Sequence, residues 1–190
     1  MNLPNKLTLF RVFLIPILVI VMMMDIPAKF LIACIIFIGA SLTDMLDGKI
    51  ARKYNLVTDF GKFMDPLADK LLVISTLICM IETDLAAGWM VIIIVARELS
   101  VSILRAIAAA DGTVIAAGKS GKWKTATQMV SIVLLLFGAH LENLTILMVG
   151  NILLIIATLL TLYSGWEYLY GNRHVFMLSL IHISEPTRPY

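Results

Sequence analysis

Six long apolar blocks separated by short polar connections constrain the fold of this chain more than any other feature of its sequence. They run over Leu7–Met24, Ala28–Leu46, Pro66–Ile81, Gly88–Ala110, Trp123–Ala139 and Leu144–Gly165. Blocks of roughly 17–25 residues suit helices that cross a bilayer, whereas barrel strands are shorter and alternate in polarity. With 60% hydrophobic and 15% charged residues, the chain lacks the polar side chains for a water-soluble surface. We therefore predict an all-α integral membrane protein with six transmembrane helices.

Lysine and arginine residues concentrate at alternate ends of these blocks. One end carries Lys6, Arg11, Lys49, Arg52, Lys53, Lys62, Lys119, Lys122, Lys124 and Arg173. The other end carries Lys29 and the acidic residues Glu82, Asp84 and Glu142. The positive-inside rule then predicts a multi-pass protein of the plasma membrane with both termini in the cytoplasm. A basic cytoplasmic face suits anionic lipid head groups or phosphorylated substrates, and no nucleic-acid partner is expected.

Residues 1–178 contain no internal repeat and no boundary of a soluble domain, so we predict a single six-helix transmembrane domain. The composition changes near Ser179, and residues 179–190 are expected to be a non-native tail. Cys34 and Cys79 lie inside predicted spans, without a CxxC spacing or a nearby histidine. We expect both to be buried apolar residues rather than metal ligands.

Four aspartates lie where a membrane protein accommodates charge least easily, at the end of the second block and the start of the third. Asp44 and Asp47 share a face if the second helix continues past Asp47. Asp65 and Asp69 are one turn apart, and Pro66 suits a first helical turn, which makes Asp65 a predicted N-cap. The two carboxylate pairs would face and repel each other. Hard cations such as Mg²⁺ and Mn²⁺ offset this repulsion best because they favour carboxylate oxygens.

A salt-bridged helix junction is the structural alternative for these aspartates. It does not explain why small residues, Gly48 and Ala51, accompany the carboxylates. Small residues let a ligand or another helix approach the backbone closely, so helix packing is the alternative for these two. The neighbouring carboxylates favour a ligand.

The segment from Asp44 to Asp69 resembles the signature of the CDP-alcohol phosphotransferase family, D-x2-D-G-x2-A-R-x8-G-x3-D-x3-D. It matches at every fixed position: Asp44, Asp47, Gly48, Ala51, Arg52, Gly61, Asp65 and Asp69. The runs Asn5–Arg11, Ala96–Leu99 and 118–125 look most like one branch of that family. That branch makes phosphatidylglycerol phosphate and CMP from CDP-diacylglycerol and glycerol 3-phosphate. The resemblance extends from about Leu3 to Gly171.

The resemblance implies a phosphatidyltransferase of phospholipid biosynthesis with two divalent metal ions, Mg or Mn, at a cytoplasmic active site. The four signature aspartates would hold the ions, and Asp69 would also be the base that activates the acceptor hydroxyl. The CDP site would be lined by four other signature residues, Gly48, Ala51, Arg52 and Gly61. The resemblance further implies a homodimer surrounded by membrane lipids.

Five residues outside the signature are candidates for contacts with substrate. Asn5 and Thr8 lie at the start of the first block and can reach the nucleotide, although an ordinary helix start is the alternative. An acceptor that carries a phosphate needs basic partners, for which the candidates are Arg105, Lys119 and Lys124. Snorkelling to the interface is the alternative for Arg105, and topological charge is the alternative for the two lysines.

The fourth block also contains an adjacent pair of opposite charges, Arg97 and Glu98. Adjacent residues point in different directions on a helix, so these two need not pair with each other. We expect them to organise the interior of the bundle.

Two other functions remain open on the sequence. The same donor chemistry could use inositol phosphate or serine as the acceptor, although the run at 118–125 favours glycerol 3-phosphate. A divalent-cation transporter is the alternative from another class, because acidic residues inside a membrane can form an ion path. Such a path requires carboxylates that continue across the bilayer, whereas the four aspartates cluster at one end.

Overall fold

The computed structural model of this chain consists of six α-helices connected in sequence by short segments. It describes the backbone of residues 3–53, 59–110 and 119–171, and the side chains of 7–44, 64, 67–109 and 120–171. The helices are α1 Leu3–Met23, α2 Lys29–Lys53, α3 Asp59–Glu82, α4 Gly88–Ala110, α5 Lys119–His140 and α6 Leu144–Gly171. Across these three ranges no strand occurs, so the all-helical prediction is confirmed. The predicted tail at 179–190 lies outside the described residues.

Two of the helices extend well beyond the apolar blocks at their polar ends. The helix α2 continues to Lys53, which confirms the predicted extension past Asp47. The helix α3 begins at Asp59, seven residues before Pro66, so the prediction of Asp65 as an N-cap is wrong. Apolar patterning marks the part of a helix that packs or meets lipid, and polar turns can precede that part. An aspartate at the first position also suits a helix start, because its charge complements the helix dipole.

The connection between α5 and α6 is a tight, hydrogen-bonded turn. Glu142 adopts a left-handed backbone conformation, with φ 51°. The N–H of Asn143 donates to the carbonyl of Gly138 at 3.0 Å, which is the closing bond of a Schellman motif. The Asn143 Oδ1 then accepts the N–H of Thr145 at 3.0 Å and so caps the start of α6. The turn therefore holds α5 and α6 as antiparallel neighbours.

Among the described residues, the most extensive helix contact joins α5 to α6, and a glycine lies at this contact. A Cβ atom added at Gly150 would lie 2.8 Å from Cγ of Leu135 and 3.2 Å from its backbone nitrogen. The hydroxyl of Ser131 donates to the Gly150 carbonyl at 2.8 Å across the same contact. The other main contacts join α1 to α2 and α3, α2 to α5, and α4 to α6.

Apolar side chains fill the centre of the bundle and also cover its outside. Leu18, Phe37 and Ile94 are fully or almost fully buried, whereas Trp123 and Leu144 are 71% and 72% exposed. Such extensive exposed apolar surface is unusual for a water-soluble monomer. Among the described helices, α6 is long and apolar enough to cross a membrane, whereas the apolar stretch of α1 is shorter. The count of six spans and the position of the termini therefore stay predictions.

Replacing Gly150 with alanine tests the α5–α6 contact. We expect Gly150→Ala to lower the free energy of unfolding by about 1–3 kcal/mol, because the new methyl group overpacks against Leu135. The matched control is Gly39→Ala, since Gly39 lies in α2 with no atom within 4 Å of an added Cβ. The control should be neutral or stabilising by up to about 1 kcal/mol through helix propensity.

Thermal unfolding of the detergent-purified proteins measures both effects. The buried thiols of Cys34 and Cys79 become reactive to a fluorogenic maleimide as the bundle opens. Equal unfolding temperatures for the two variants would contradict the close approach of α5 and α6 at Gly150.

Candidate active site

Arg11 and Asp44 form a contact that joins α1 to the signature segment of α2. Arg11 is completely buried, and its Nη1 donates to Oδ1 of Asp44 at 2.5 Å. Thr8, one turn before Arg11, is 1% exposed. A buried guanidinium needs a counter-charge because an unpaired ion is costly to desolvate. The ion pair therefore fixes the orientation of the Asp44 carboxylate. Thr8, the predicted CDP contact, lies on α1 one turn from the arginine of this pair.

Asp69 occupies a partly buried position on α3 near this ion pair. It lies within electrostatic range of Asp44 on α2 and of Arg11 on α1. Glu98 on α4 and Lys70, the next residue on α3, are also within this range. The fold thus brings together two of the four aspartates predicted to bind metal, and places charges from four helices around them.

Two cationic side chains contact the carboxylate of Glu98. The Nζ of Lys124 on α5 donates to Oε1 of Glu98, and Nη1 of Arg97 lies 3.2 Å from the same oxygen. Arg97 and Glu98, whose adjacent positions did not require them to pair, are therefore in contact. A partly buried carboxylate attracts the cations within reach, and an arginine side chain is long enough to reach a neighbour in sequence.

Lys124 and Lys70 also connect the helices around Asp69. Lys124, a predicted ligand of the acceptor phosphate, is 2% exposed and lies within electrostatic range of Asp69. The ammonium of Lys70 donates to the hydroxyl of Ser102 on α4, which in turn donates to the carbonyl of Glu98 at 2.5 Å. The two lysines therefore tie α3 and α5 to the same segment of α4.

Arg105, the second predicted phosphate ligand, lies on α4 beside α6. Its guanidinium carbon is 5.6 Å from the centre of the Tyr168 ring, a cation–π distance. The Nε of Arg105 is buried and makes no hydrogen bond to the described residues. Arg105 also lies within electrostatic range of Lys70. The cation–π contact ties Arg105 to the aromatic end of α6, and its charge lies near that of Lys70.

The remaining predicted site residues have side chains outside the described part of the chain. Their backbone positions lie on α1, α2, α3 and α5, and the residues are Asn5, Asp47, Gly48, Ala51, Arg52, Gly61, Asp65 and Lys119. The continuous helix from Asp44 past Asp47 keeps these two positions one turn apart on one face.

A small cavity of about 40 Å³ lies between α3, α4 and α5. Its polar walls are formed by Asp69, Lys70, Glu98, Lys124, Thr125 and Gln128. The volume has room for about three water-sized groups. The remaining walls are apolar, so the predicted catalytic base lines a cavity of mixed polarity inside the bundle.

The chemistry of the described carboxylates suits a divalent cation. Asp44 and Asp69 supply hard oxygen donors from two helices and lie within electrostatic range of each other. Among the described side chains, no group of three or more metal-binding residues occurs. The fit therefore rests on these two aspartates, and the contributions of Asp47 and Asp65 stay predictions.

Sequence reasoning did not assign a role at the site to Arg11 or Gln128. Arg11 is a charged residue inside the first apolar block, which is a signal of function in a membrane protein. Gln128 is the single glutamine of the chain and lies inside the fifth block. Neither signal shows which helix the side chain faces, so only the packing identifies their partners.

The chain is similar to known proteins over most of its length. The model of the CDP-alcohol phosphatidyltransferase family matches residues 1–163. A CDP-diacylglycerol–glycerol-3-phosphate 3-phosphatidyltransferase from Bacillus subtilis is 46% identical over 183 residues, which cover 90% of this chain and 95% of that protein. Proteins of the same name from Rickettsia bellii and Haemophilus influenzae are 38% and 40% identical. These matches cover 92% and 88% of this chain, and 97% and 91% of the two relatives.

The ion pair between Glu98 and Lys124 can be tested by a double-mutant cycle. We expect Glu98→Gln to lower the free energy of unfolding by about 3–5 kcal/mol, because it leaves Lys124 buried without its counter-charge. Lys124→Met should cost less in the Glu98→Gln protein than in the parent protein, since the buried charge has then already lost its partner. Denaturation of the four proteins in detergent measures the coupling.

Glu167→Gln is the control for this cycle. Glu167 is an exposed carboxylate on α6 that accepts the hydroxyl of Ser120 at 2.5 Å. Its replacement should change the free energy of unfolding by less than about 1 kcal/mol. Strictly additive effects of Glu98→Gln and Lys124→Met would contradict the ion pair.

Proposed function

Because this chain belongs to the CDP-alcohol phosphatidyltransferase family, we propose that it transfers a phosphatidyl group from CDP-diacylglycerol to glycerol 3-phosphate. The products would be phosphatidylglycerol phosphate and CMP. The acceptor is inferred from the relatives, each of which is named a CDP-diacylglycerol–glycerol-3-phosphate 3-phosphatidyltransferase. Residues 1–178 would form the single catalytic domain.

The observation that carries this proposal is the position of Asp69. Asp69 lines the cavity between α3, α4 and α5, and it lies within electrostatic range of the signature aspartate Asp44 and of two basic side chains, Arg11 and Lys70. A carboxylate at such a position can accept a proton, and basic neighbours favour an acceptor that carries a phosphate.

The proposed reaction is a displacement at the β-phosphorus of CDP-diacylglycerol. The acceptor hydroxyl oxygen forms the new P–O bond while the bond from this phosphorus to the oxygen bridging to CMP breaks. Asp69 takes the proton of the hydroxyl, and CMP leaves with the electron pair of the broken bond. Atoms and charges balance without a covalent enzyme intermediate.

Divalent metal ions, Mg or Mn, held by Asp44, Asp47, Asp65 and Asp69, would neutralise the diphosphate and the charge that develops on CMP. The binding site for the CDP moiety would be lined by residues of α1, α2 and α3, namely Asn5, Thr8, Gly48, Ala51, Arg52 and Gly61. The phosphate of the acceptor would contact Arg105, Lys119 and Lys124.

Arg11 and Glu98 would act as positioning residues in this scheme. Arg11 orients the Asp44 carboxylate from the buried side, and Glu98 holds the ammonium of Lys124 near Asp69. Fixed charges of this kind need little reorganisation during the reaction, which is how preorganised sites lower a barrier.

We place the chain in the plasma membrane as a homodimer of six-span subunits, with the active site and both termini in the cytoplasm. Exposed apolar side chains on all six helices support contact with lipid. The basic residues at one end of the bundle support this orientation. The acyl chains of the donor can then stay in the bilayer while glycerol 3-phosphate arrives from water.

Release of CMP tests the reaction directly. Purified protein in detergent receives CDP-diacylglycerol, Mg²⁺ or Mn²⁺, and one acceptor at a time: glycerol 3-phosphate, inositol phosphate or serine. We expect CMP only with metal and glycerol 3-phosphate, and none after chelation. Asp69→Asn should lower kcat by about 100-fold or more because it removes the proton acceptor.

Glu82→Gln is the matched control, since Glu82 is an exposed acidic residue at the predicted outer end of α3. It should retain the kcat of the parent protein. CMP release with another acceptor would keep the chemistry and reject glycerol 3-phosphate. No CMP with any acceptor, together with Mn²⁺ uptake by vesicles that contain the folded protein, would favour a transporter.

Single cysteines, one in the first turn of α5 and one in the turn that follows it, test the orientation of the protein in the membrane. In a Cys34→Ala, Cys79→Ala background, we expect Asn143→Cys to react with a membrane-impermeant maleimide in intact cells. Ser120→Cys should react only after permeabilisation, because the proposed orientation places it on the cytoplasmic side. The reverse pattern would invert the topology, and labelling of both in intact cells would show that α5 does not cross the membrane.

A further inference from the structure

Gln128 is a buried amide whose hydrogen-bonding groups are unmatched within the described part of the protein. Its side chain is 2% exposed, and neither Oε1 nor Nε2 has a hydrogen-bond partner among the described residues. Buried side-chain polar atoms are nearly always hydrogen-bonded, so an unmatched amide calls for an explanation. In the interior of a predicted membrane bundle, this requirement is stricter still.

The environment of Gln128 indicates a ligand rather than a packing role. Gln128 lies on α5 one turn after Lys124 and lines the cavity of about 40 Å³ that Asp69 also lines. Other buried polar side chains of the bundle have backbone partners, as Thr158 does in the carbonyl of Leu154 at 2.8 Å and Ser131 does in the carbonyl of Gly150 at 2.8 Å. Gln128 has no such bond to the described backbone, so its amide stays available to a group in the cavity.

The size and polarity of the cavity limit what this group can be. Space for about three water-sized groups admits a hydroxyl together with the carbon that carries it. A glutamine amide offers one acceptor oxygen and two N–H donors, whereas a hydroxyl both donates and accepts. An alcohol group therefore satisfies both atoms of Gln128 at once, which a carboxylate or an ammonium does not.

We propose that Gln128 is a specificity-determining residue that binds the secondary hydroxyl of the acceptor, next to the primary hydroxyl that reacts. This inference rests on the proposed function, which supplies an acceptor with hydroxyls on adjacent carbons. One hydroxyl can then face Asp69 while its neighbour faces Gln128 across the same cavity. The amide selects a vicinal diol phosphate over a simple alcohol phosphate.

The test compares two acceptors that differ only in the secondary hydroxyl, glycerol 3-phosphate and 3-hydroxypropyl phosphate. We expect the parent protein to prefer glycerol 3-phosphate by about 100-fold in kcat/KM, since sites built around a hydroxyl reject analogues that lack it. Gln128→Met keeps the shape of the side chain and removes its polar atoms. It should lose about 100-fold on glycerol 3-phosphate and less than about threefold on 3-hydroxypropyl phosphate.

Asn151→Leu is the matched control, because it removes a partly buried amide on α6 that does not line this cavity. The Nδ2 of Asn151 donates to the carbonyl of Leu147 at 3.1 Å. The control should keep the acceptor preference of the parent protein. Size-exclusion chromatography and thermal unfolding establish that each variant is folded.

The outcomes separate this inference from the function on which it rests. Equal losses of Gln128→Met on both acceptors would indicate a structural role and overturn the proposal. If Gln128→Met does not fold, the acceptor preference of the parent protein still tests the proposal. A preference below about threefold for glycerol 3-phosphate overturns it without any variant. No CMP from the parent protein with either acceptor would reject the proposed function and this inference together. CMP without acceptor discrimination would reject the inference alone.

Discussion

Charge compensation inside the bundle is the constraint on which the rest of the site depends. An ion removed from water is tolerated only beside an opposite charge, and a lone buried ion destabilises the fold. Glu98 meets this requirement for Lys124 and Arg97, and Asp44 meets it for Arg11. These contacts join α1 to α2 and α4 to α5. The charges that the proposed chemistry needs are therefore also contacts that set how the helices lie against one another.

The polar interior is compatible with a membrane because the remaining surfaces of the helices are apolar. Buried hydroxyls such as Thr158 and Thr161 donate to backbone carbonyls of their own helix, so these polar groups need no partner from outside it. The close contact of α5 with α6 at Gly150 fixes the helix that carries Lys124 and Gln128. A small, defined cavity can then form beside Asp69, where a looser bundle would give the substrate no fixed partners.

Much of the architecture could be predicted because apolar block length and signature spacing are local properties of the chain. Six blocks became six helices, and the family signature was confirmed by the match over residues 1–163. The start of α3 was misjudged at Asp65, because polar residues before an apolar block carry no signal for the end of a helix. The pairing of Arg97 with Glu98 was left open, because it depends on the position of a partly buried carboxylate between α4 and α5.

The sequence by itself determined the helical class, the family and the positions of the four aspartates, since each follows from residue types at short, fixed spacings. The tertiary structure alone decided which charges meet. Arg11 and Asp44 are 33 residues apart, and Glu98 and Lys124 are 26 residues apart, yet each pair is in contact. Such contacts depend on the rotation and offset of whole helices. Those quantities come from packing across the entire bundle, which no local pattern encodes.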